Sequence, residues 1–234
     1  MGGGDIFRFK QFCVNQSGCG MRISTDAVLL GAWADFSASK RILDVGTGTG
    51  ILALMAAQRC QDARIDAIEI DKEASAMAQE NVGNNRWKDR ITIHNCDFLD
   101  FDGDEKYDYI ITNPPYFQTG ERAADNRRAQ ARHTDSLPFE RLFAGCARLL
   151  ASTGRIGIIA PSEARQNIEF LAGEMNLWLC RRLSVRTTAR KEVSRYLWEF
   201  ANYPCSPAED EIVLQDGVVR SRQFNELTKD FYIR

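Results

Sequence analysis

Arg41-Ile42-Leu43-Asp44-Val45-Gly46-Thr47-Gly48-Thr49-Gly50 runs directly into Ile51-Leu52-Ala53-Leu54-Met55-Ala56-Ala57. The first five residues read as a short buried strand, and the last seven as the start of a helix packed in a core. Between them, glycines at alternate positions let the backbone turn sharply and let a ligand approach it closely. The spacing is G-x-G-x-G; in the dinucleotide fingerprint G-x-G-x-x-G the third glycine would fall at Ile51. No Walker lysine follows, so a phosphate cradle is the weaker reading.

Three further strands carry polar groups at their ends. Arg64 to Asp71 places Glu69 about twenty residues after the glycines, where a carboxylate can accept both hydroxyls of a ribose. The plain alternative for Glu69 is a solvated strand end. Ile91 to Asn95 delivers Asp97 and Phe98, a carboxylate to accept from an adenine amino group and a ring to pack on the base. A turn or capping aspartate is the alternative there. Tyr107 to Thr112 ends abruptly in Asn113-Pro114-Pro115-Tyr116, because proline has no ladder N–H and restricts the residue before it. The Asn113 amide oxygen and the Pro114 carbonyl can accept hydrogen bonds, and Tyr116 offers a flat face. Two acceptors beside an aromatic plate suit a planar molecule with an exocyclic amino group.

The chain has 234 residues, 44% hydrophobic and 26% charged, enough for one domain with a sizeable core. We read residues 1–234 as a single domain, with a strand-and-helix lid over 1–36 and a catalytic core over 37–234. The longest apolar run, Ala27 to Ala34, is too short to span a bilayer. The N-terminus lacks a basic segment leading into an apolar one, and Met1-Gly2-Gly3-Gly4 reads as a flexible start. Seven cysteines without a C-x-x-C pair, and only His94 and His133, argue against a zinc site and against a disulfide framework. Reduced thiols in a cytoplasmic protein fit best. The net charge is −2, yet residues 120–200 carry a surplus of +5, with Arg122, Arg127, Arg128 and Arg132 clustered after the tetrad. Such a rim can locate a polyanion beside a site, or be no more than a solvated face.

Phe7 to Gln16 has strand-like content, Ser17-Gly18-Cys19-Gly20 reads as a turn, and Ser24-Thr25-Asp26 caps a helix beginning at Ala27. Helices are expected over 50–60, 72–84, 136–151 and 162–176, and strands over 41–45, 64–70, 91–95, 107–112 and 154–160. This alternation is that of a parallel sheet wound with helices. Residues 178–188 and 195–203 read as a terminal antiparallel pair. Asp216-Gly217, between Ile212-Val213-Leu214 and Val218-Val219, is a hairpin signal, and Asn225 to Phe231 a closing helix.

Taken in order, these signals resemble the class I S-adenosylmethionine-dependent methyltransferases, a Rossmann-like α/β fold with a seven-stranded, mostly parallel sheet ending in an antiparallel pair. The resemblance implies S-adenosylmethionine as cofactor and no metal. Its cofactor residues would be Arg22, Thr25, Asp44, Gly46, Thr47, Gly48, Gly50, Glu69, Asp97, Phe98 and Asn113, and its catalytic residues Asn113, Pro114, Pro115 and Tyr116. Phe9-Lys10-Gln11-Phe12, Met21 to Trp33, Asn113 to Phe117, Ala129 to His133 and Glu226 to Tyr232 are similar to one branch, the bacterial tRNA1(Val) (adenine(37)-N6)-methyltransferase family. That resemblance runs from about Phe7 to Tyr232. It implies methylation of the exocyclic amine of the adenosine beside a valine anticodon, with the tRNA anticodon loop as partner and the arginine cluster on phosphates. Arg22 stands where the family pattern has lysine, which keeps the charge. Glutamine-N5 methyltransferases of release factors share the tetrad and are the alternative, although they carry a sizeable helical domain before the glycine loop. His133 reads as a general base or as a solvent-exposed loop residue.

Overall fold

Apolar strands that alternate with helices bury both sheet faces only if helices cover each side. The computed structural model, which describes residues 6–17, 23–103, 105–115 and 137–233, has this architecture. A short antiparallel hairpin comes first, β1 (Ile6–Arg8) and β2 (Cys13–Asn15), followed by α1 (Thr25–Trp33). The core then unrolls as β3 (Arg41–Val45), α2 (Ile51–Arg59), β4 (Arg64–Glu69), α3 (Lys72–Gly83), β5 (Ile91–Asn95) and β6 (Tyr107–Thr112). After the next described residue, Leu137, come α4 (Phe139–Leu149), β7 (Leu150–Pro161), α5 (Arg165–Glu174), β8 (Trp178–Arg186), β9 (Val193–Ala201) and β10 (Ala208–Val213). A second hairpin, β11 (Gln215–Asp216) with β12 (Val219–Arg220), and α6 (Arg222–Leu227) complete the order.

The main sheet has eight strands in the order β10-β8-β9-β7-β6-β3-β4-β5. Only β9 runs against its neighbours, pairing antiparallel with both β7 and β8. The expected antiparallel pair is therefore present. The expected count of seven strands is exceeded by one, since β10 adds to the outer edge parallel to β8. The arm assigned to the Asp216-Gly217 hairpin is thus split: Ile212 and Val213 belong to the main sheet, and the hairpin closes between Gln215 and Arg220 with Gly217 at φ +62°. The closing helix also begins earlier, at Arg222, because Ser221 accepts from the Phe224 N–H as its cap.

Each face has its own core. On one side Leu29, Leu30, Leu54, Met55, Phe36 and Tyr109 pack with the hairpin aromatics Phe9 and Phe12. On the other, Leu142, Phe143, Cys146 and Leu149 fall on one stripe of α4 and meet Ile110, Ile156, Trp198 and Phe200. At Gly157 a Cβ would lie 2.6 Å from the Tyr109 hydroxyl, so the close approach of β7 to Tyr109 requires glycine. That hydroxyl donates to Glu199, which is fully buried and also takes Arg155 at 3.0 Å. The first hairpin is tied to the far end of the chain. Phe9 bridges Tyr232, the Lys10 N–H donates to the Phe231 carbonyl, and Phe7, Phe9, Tyr232 and Phe224 form a run of ring contacts.

The expectation of reduced thiols throughout is corrected at one pair. Cys180 on β8 and Cys205 after β9 are joined in a disulfide, while Cys13, Cys60, Cys96 and Cys146 are free. The pairing arises because β8 and β9 are neighbours and the chain leaving β9 turns back beside the start of β8, a proximity that spacing in sequence does not reveal.

Candidate functional site

Strand succession β3, β4, β5 moves outward in one direction and β6, β7 in the other, so the order reverses between β3 and β6. In such sheets a crevice opens beyond the carboxyl ends of the strands at that point. The glycine loop follows β3 and Asn113 follows β6, one on each side of the reversal.

Gly46, Gly48 and Gly50 hold φ of +71°, +56° and +83°, the left-handed region that glycine alone enters cheaply. Nothing lies within 4 Å of a Cβ built at Gly46 or Gly48, so the loop's outer surface is open. Its shape is set from beneath: the N–H groups of Gly46 and Thr47 donate to the Ile68 carbonyl, and the Gly48 N–H to Glu69 Oε2 at 2.9 Å. Glu69 takes the Asp71 N–H on its other oxygen, so this carboxylate braces the loop as well as lining the crevice.

Asp44 lies fully buried under the loop. Its Oδ2 accepts from Thr47 Oγ1 at 2.5 Å and from the Ala53 N–H at 3.1 Å, while Oδ1 has no partner among the described residues. Burial pushes this carboxyl up to about 7, against the pull of the two donors. Between its ordinary value of 3.8 and about 7, the folded chain holds a proton that the unfolded chain has shed. Stability without ligand should therefore fall as pH rises through that window and level off above it. Asp44→Asn should flatten this slope relative to the native chain. Thermal melts between about pH 4.5 and pH 8 check it, and parallel curves for the two proteins would contradict it.

Two adjoining cavities make up the crevice. One, of about 280 Å³, is lined by Ser24, Asp26, Gly46, Thr47, Gly48 and the Asn113-Pro114-Pro115 corner. The other, of about 360 Å³, lies against Glu69, Asp97, Phe98, Arg141 and Leu142. Gly46, Asn113, Pro114 and Pro115 belong to both, so the glycine loop and the proline corner face a single space. Asp97 accepts from the Leu99 N–H at 2.9 Å, a turn contact that fixes its carboxylate beside the buried Phe98 ring.

Of the residues singled out from the sequence, Gly46, Thr47, Gly48, Glu69, Asp97, Phe98, Asn113, Pro114 and Pro115 converge on this crevice. Gly50 is instead the N-cap of α2, where an added Cβ would lie 3.6 Å from Ala78, and Asp44 supports the loop from below. Thr25 is exposed at the start of α1 and does not line the crevice; its neighbours Ser24 and Asp26 do. Arg22, Tyr116, the Arg122–Arg132 cluster and His133 lie outside the described residues. Sequence reasoning missed the second role of Ser24. Its hydroxyl caps α1 by accepting from the Ala27 N–H and also receives Asn113 Nδ2 at 3.4 Å. Only the capping role leaves a local signal.

Among the described residues no helix is long and apolar enough to cross a membrane, and no cluster of His, Cys, Asp or Glu is arranged to hold a metal ion. The donor set is one of loop amides, carboxylates and an aromatic ring, which suits an organic ligand with an adenosine-like end.

Comparison with known proteins agrees with this geometry. Residues 24–176 match the family model "Methyltransferase small domain". A protein of Aliivibrio fischeri (strain ATCC 700601 / ES114) named tRNA1(Val) (adenine(37)-N6)-methyltransferase is 44% identical over 227 residues, 97% of each chain. One of the same name from Bacteroides thetaiotaomicron is 42% identical, again over 97% of each. Among solved structures, a predicted O-methyltransferase from Agrobacterium tumefaciens superposes with TM-score 0.68 at 18% identity, covering 88% of this chain and 96% of that one. The N-methyltransferase NodS from Bradyrhizobium japonicum WM9, in complex with S-adenosyl-L-homocysteine, has TM-score 0.52 at 17% identity, covering 74% and 83%. These two likenesses show the fold alone.

Proposed function

Because this chain belongs to the tRNA1(Val) (adenine(37)-N6)-methyltransferase family, we infer that it transfers a methyl group from S-adenosylmethionine to the exocyclic N6 of an adenosine in tRNA, A37 of tRNA1(Val). The structural observation that carries this reading is the shared wall of the two cavities, formed by Gly46 and Asn113-Pro114-Pro115. A glycine-loop ligand and a base held at the proline corner meet there. The relatives align over nearly the entire chain, which leaves the release-factor glutamine reading without support.

S-adenosylmethionine, when bound, supplies an electrophilic methyl on a sulfonium. The open loop at Gly46 and Gly48, the carboxylates of Glu69 and Asp97 and the Phe98 ring fit its adenosine end, with Glu69 assigned to the ribose and Asp97 to the base. The chain's own task is to make a poor nucleophile competent, since an aryl amine's lone pair is delocalised into the ring. Accepting its two hydrogens through Asn113 Oδ1 and the Pro114 carbonyl favours a pyramidal nitrogen and stabilises the positive charge that develops on it. The Asn113 amide nitrogen is engaged by Ser24, which orients the oxygen end. Positioning contributes much of the remaining rate. We assign stacking of the target ring to Tyr116. An anticodon-loop base is already partly unpaired, so presenting it costs less than flipping one from a duplex. A cytoplasmic setting accords with that substrate.

Incubation of the protein with labelled S-adenosylmethionine and bulk tRNA, followed by nucleoside analysis, should yield N6-methyladenosine. Label in release-factor glutamine and none in tRNA would overturn the assignment.

A further inference from the structure

Beyond the crevice, the same edge of the sheet carries a group of exposed cations. Strands β6, β7, β8 and β10 run parallel, so Thr112, Pro161, Arg186 and Val213 end on one side of the molecule, where β9 also begins. The turn between β8 and β9 exposes Arg190 and Lys191, and the segment after the second hairpin exposes Arg220 and Arg222. The two pieces are joined: the Leu214 N–H donates to the Arg186 carbonyl and the Gln215 N–H to the Thr187 carbonyl, both at 2.9 Å.

This surface is braced. Arg186 Nη1 donates to the Lys191 carbonyl at 2.7 Å, the Lys191 N–H closes a turn onto Thr188, and the Arg186–Glu211 ion pair at 2.9 Å anchors the turn to β10. The Arg220 guanidinium lies over the Tyr232 ring, 4.1 Å from its centroid, and 5.2 Å from that of Phe224. Arg220, Arg222, Asn225 and Glu226 line an open depression that shares no lining residue with the crevice. Among the described residues no carboxylate forms an ion pair with Arg190, Lys191, Arg220 or Arg222. Glu192 and Asp216 are exposed nearby, and Glu226 is engaged by Lys229 at 2.6 Å, so the balance of the ledge is positive. At roughly 4.8 Å per strand, β8 lies three strands from β6, about 14 Å, and β10 four strands, about 19 Å. Arg195, paired with the crevice residue Asp26 at 2.9 Å, stands between the two regions.

We propose that this ledge of Arg190, Lys191, Arg220 and Arg222 is the docking surface for the phosphate backbone of the substrate tRNA, gripping the stem while the target base enters the crevice. The proposal rests on the tRNA reading above and deepens it. A protein with net charge −2 that must hold a polyanion needs its cations gathered where the polymer lies. Contacts to backbone phosphates set register and orientation, and leave base recognition to the crevice.

The test neutralises three exposed side chains together, Arg190→Gln, Lys191→Gln and Arg222→Gln, and spares Arg220, whose ring contacts support the fold. A control, Lys40→Gln with Arg64→Gln, removes exposed charge at the opposite, amino-terminal ends of the parallel strands β3 and β4. Binding of tRNA transcript is measured across a salt series, with methylation kinetics and S-adenosylhomocysteine binding alongside. The triple variant should bind tRNA roughly tenfold or more weakly at low salt, with the slope of log K against log salt reduced by about 2 to 3. KM for tRNA should rise while S-adenosylhomocysteine affinity and kcat at saturation hold, and the control should bind tRNA like the native chain. An unchanged salt slope and KM in the triple variant, or equal losses in the control, would overturn the ledge. A native chain that transfers no methyl to tRNA would overturn the functional reading itself, visible in the native arm alone.

Discussion

Replacing Asn113 by alanine is expected to lower kcat by roughly 10²- to 10³-fold, the cost of losing one preorganised partner for charge that develops in the transition state. Binding of S-adenosylhomocysteine should stay close to native, because the glycine loop, Glu69 and Asp97 are held by contacts that do not involve Asn113. Single-turnover methylation of tRNA1(Val) with calorimetry of S-adenosylhomocysteine separates the two effects. Native turnover in Asn113→Ala would mean that the amine is not gripped there. A parallel collapse of cofactor binding would assign Asn113 to the loop rather than to the chemistry.

The largest expected effect on stability is at Glu199, far from the crevice. This carboxylate has no exposed surface, accepts the Tyr109 hydroxyl at 3.0 Å, and faces Arg155 at 3.0 Å and Arg181 at 3.9 Å. Burial and the adjacent negative charge raise the Tyr109 hydroxyl well above its usual range, so it remains a donor. Glu199→Ala strands that hydroxyl and leaves two arginines facing a void. Removing one member of a buried pair costs about 3–5 kcal/mol, and the lower end applies because both arginines retain about a third of their exposure. For a chain of this size about 3 kcal/mol lowers Tm by roughly 6–12 °C. Glu199→Gln, which still accepts from Tyr109, should fall between the two. An alanine variant melting within about 2 °C of native would show that the network contributes little.

Most of the central sheet was legible because strands buried on both faces must be written as apolar runs, and Ile42-Leu43, Ala67-Ile68 and Tyr109 to Ile111 are such runs. β10 was hidden for the opposite reason. Ala208-Glu209-Asp210-Glu211 is exposed, and its place depends on backbone pairing with β8 and on the Arg182–Glu209 and Arg186–Glu211 ion pairs. The Cys180–Cys205 disulfide was hidden likewise, since it depends on which strands are neighbours.

In the crevice, the sequence-singled residues that converge sit at or just after strand ends, where order along the chain becomes order in space: Gly46, Glu69, Asp97 and Asn113. What escaped comes from other elements folding over that edge. Ser24 and Asp26 arrive on α1 and Arg141 and Leu142 on α4, and nothing near them in sequence tells which turn of a helix will face the cavity. Thr25 illustrates the limit, being one residue from Ser24 and yet on the solvent side.

The stitching of the first hairpin to residues 231–232 has a consequence for vectorial synthesis. While the chain emerges from a ribosome, strands from β3 to β9 can already condense, since their partners lie within the polypeptide made so far. The β1–β2 hairpin cannot complete its seat until Phe231 and Tyr232 arrive, more than two hundred residues later. Yet that same hairpin, through Asn15 and Asn81, reaches the Thr49 carbonyl of the glycine loop. A nascent chain therefore leaves the hairpin that braces the glycine loop without its final seat until residues 231–232 have been made.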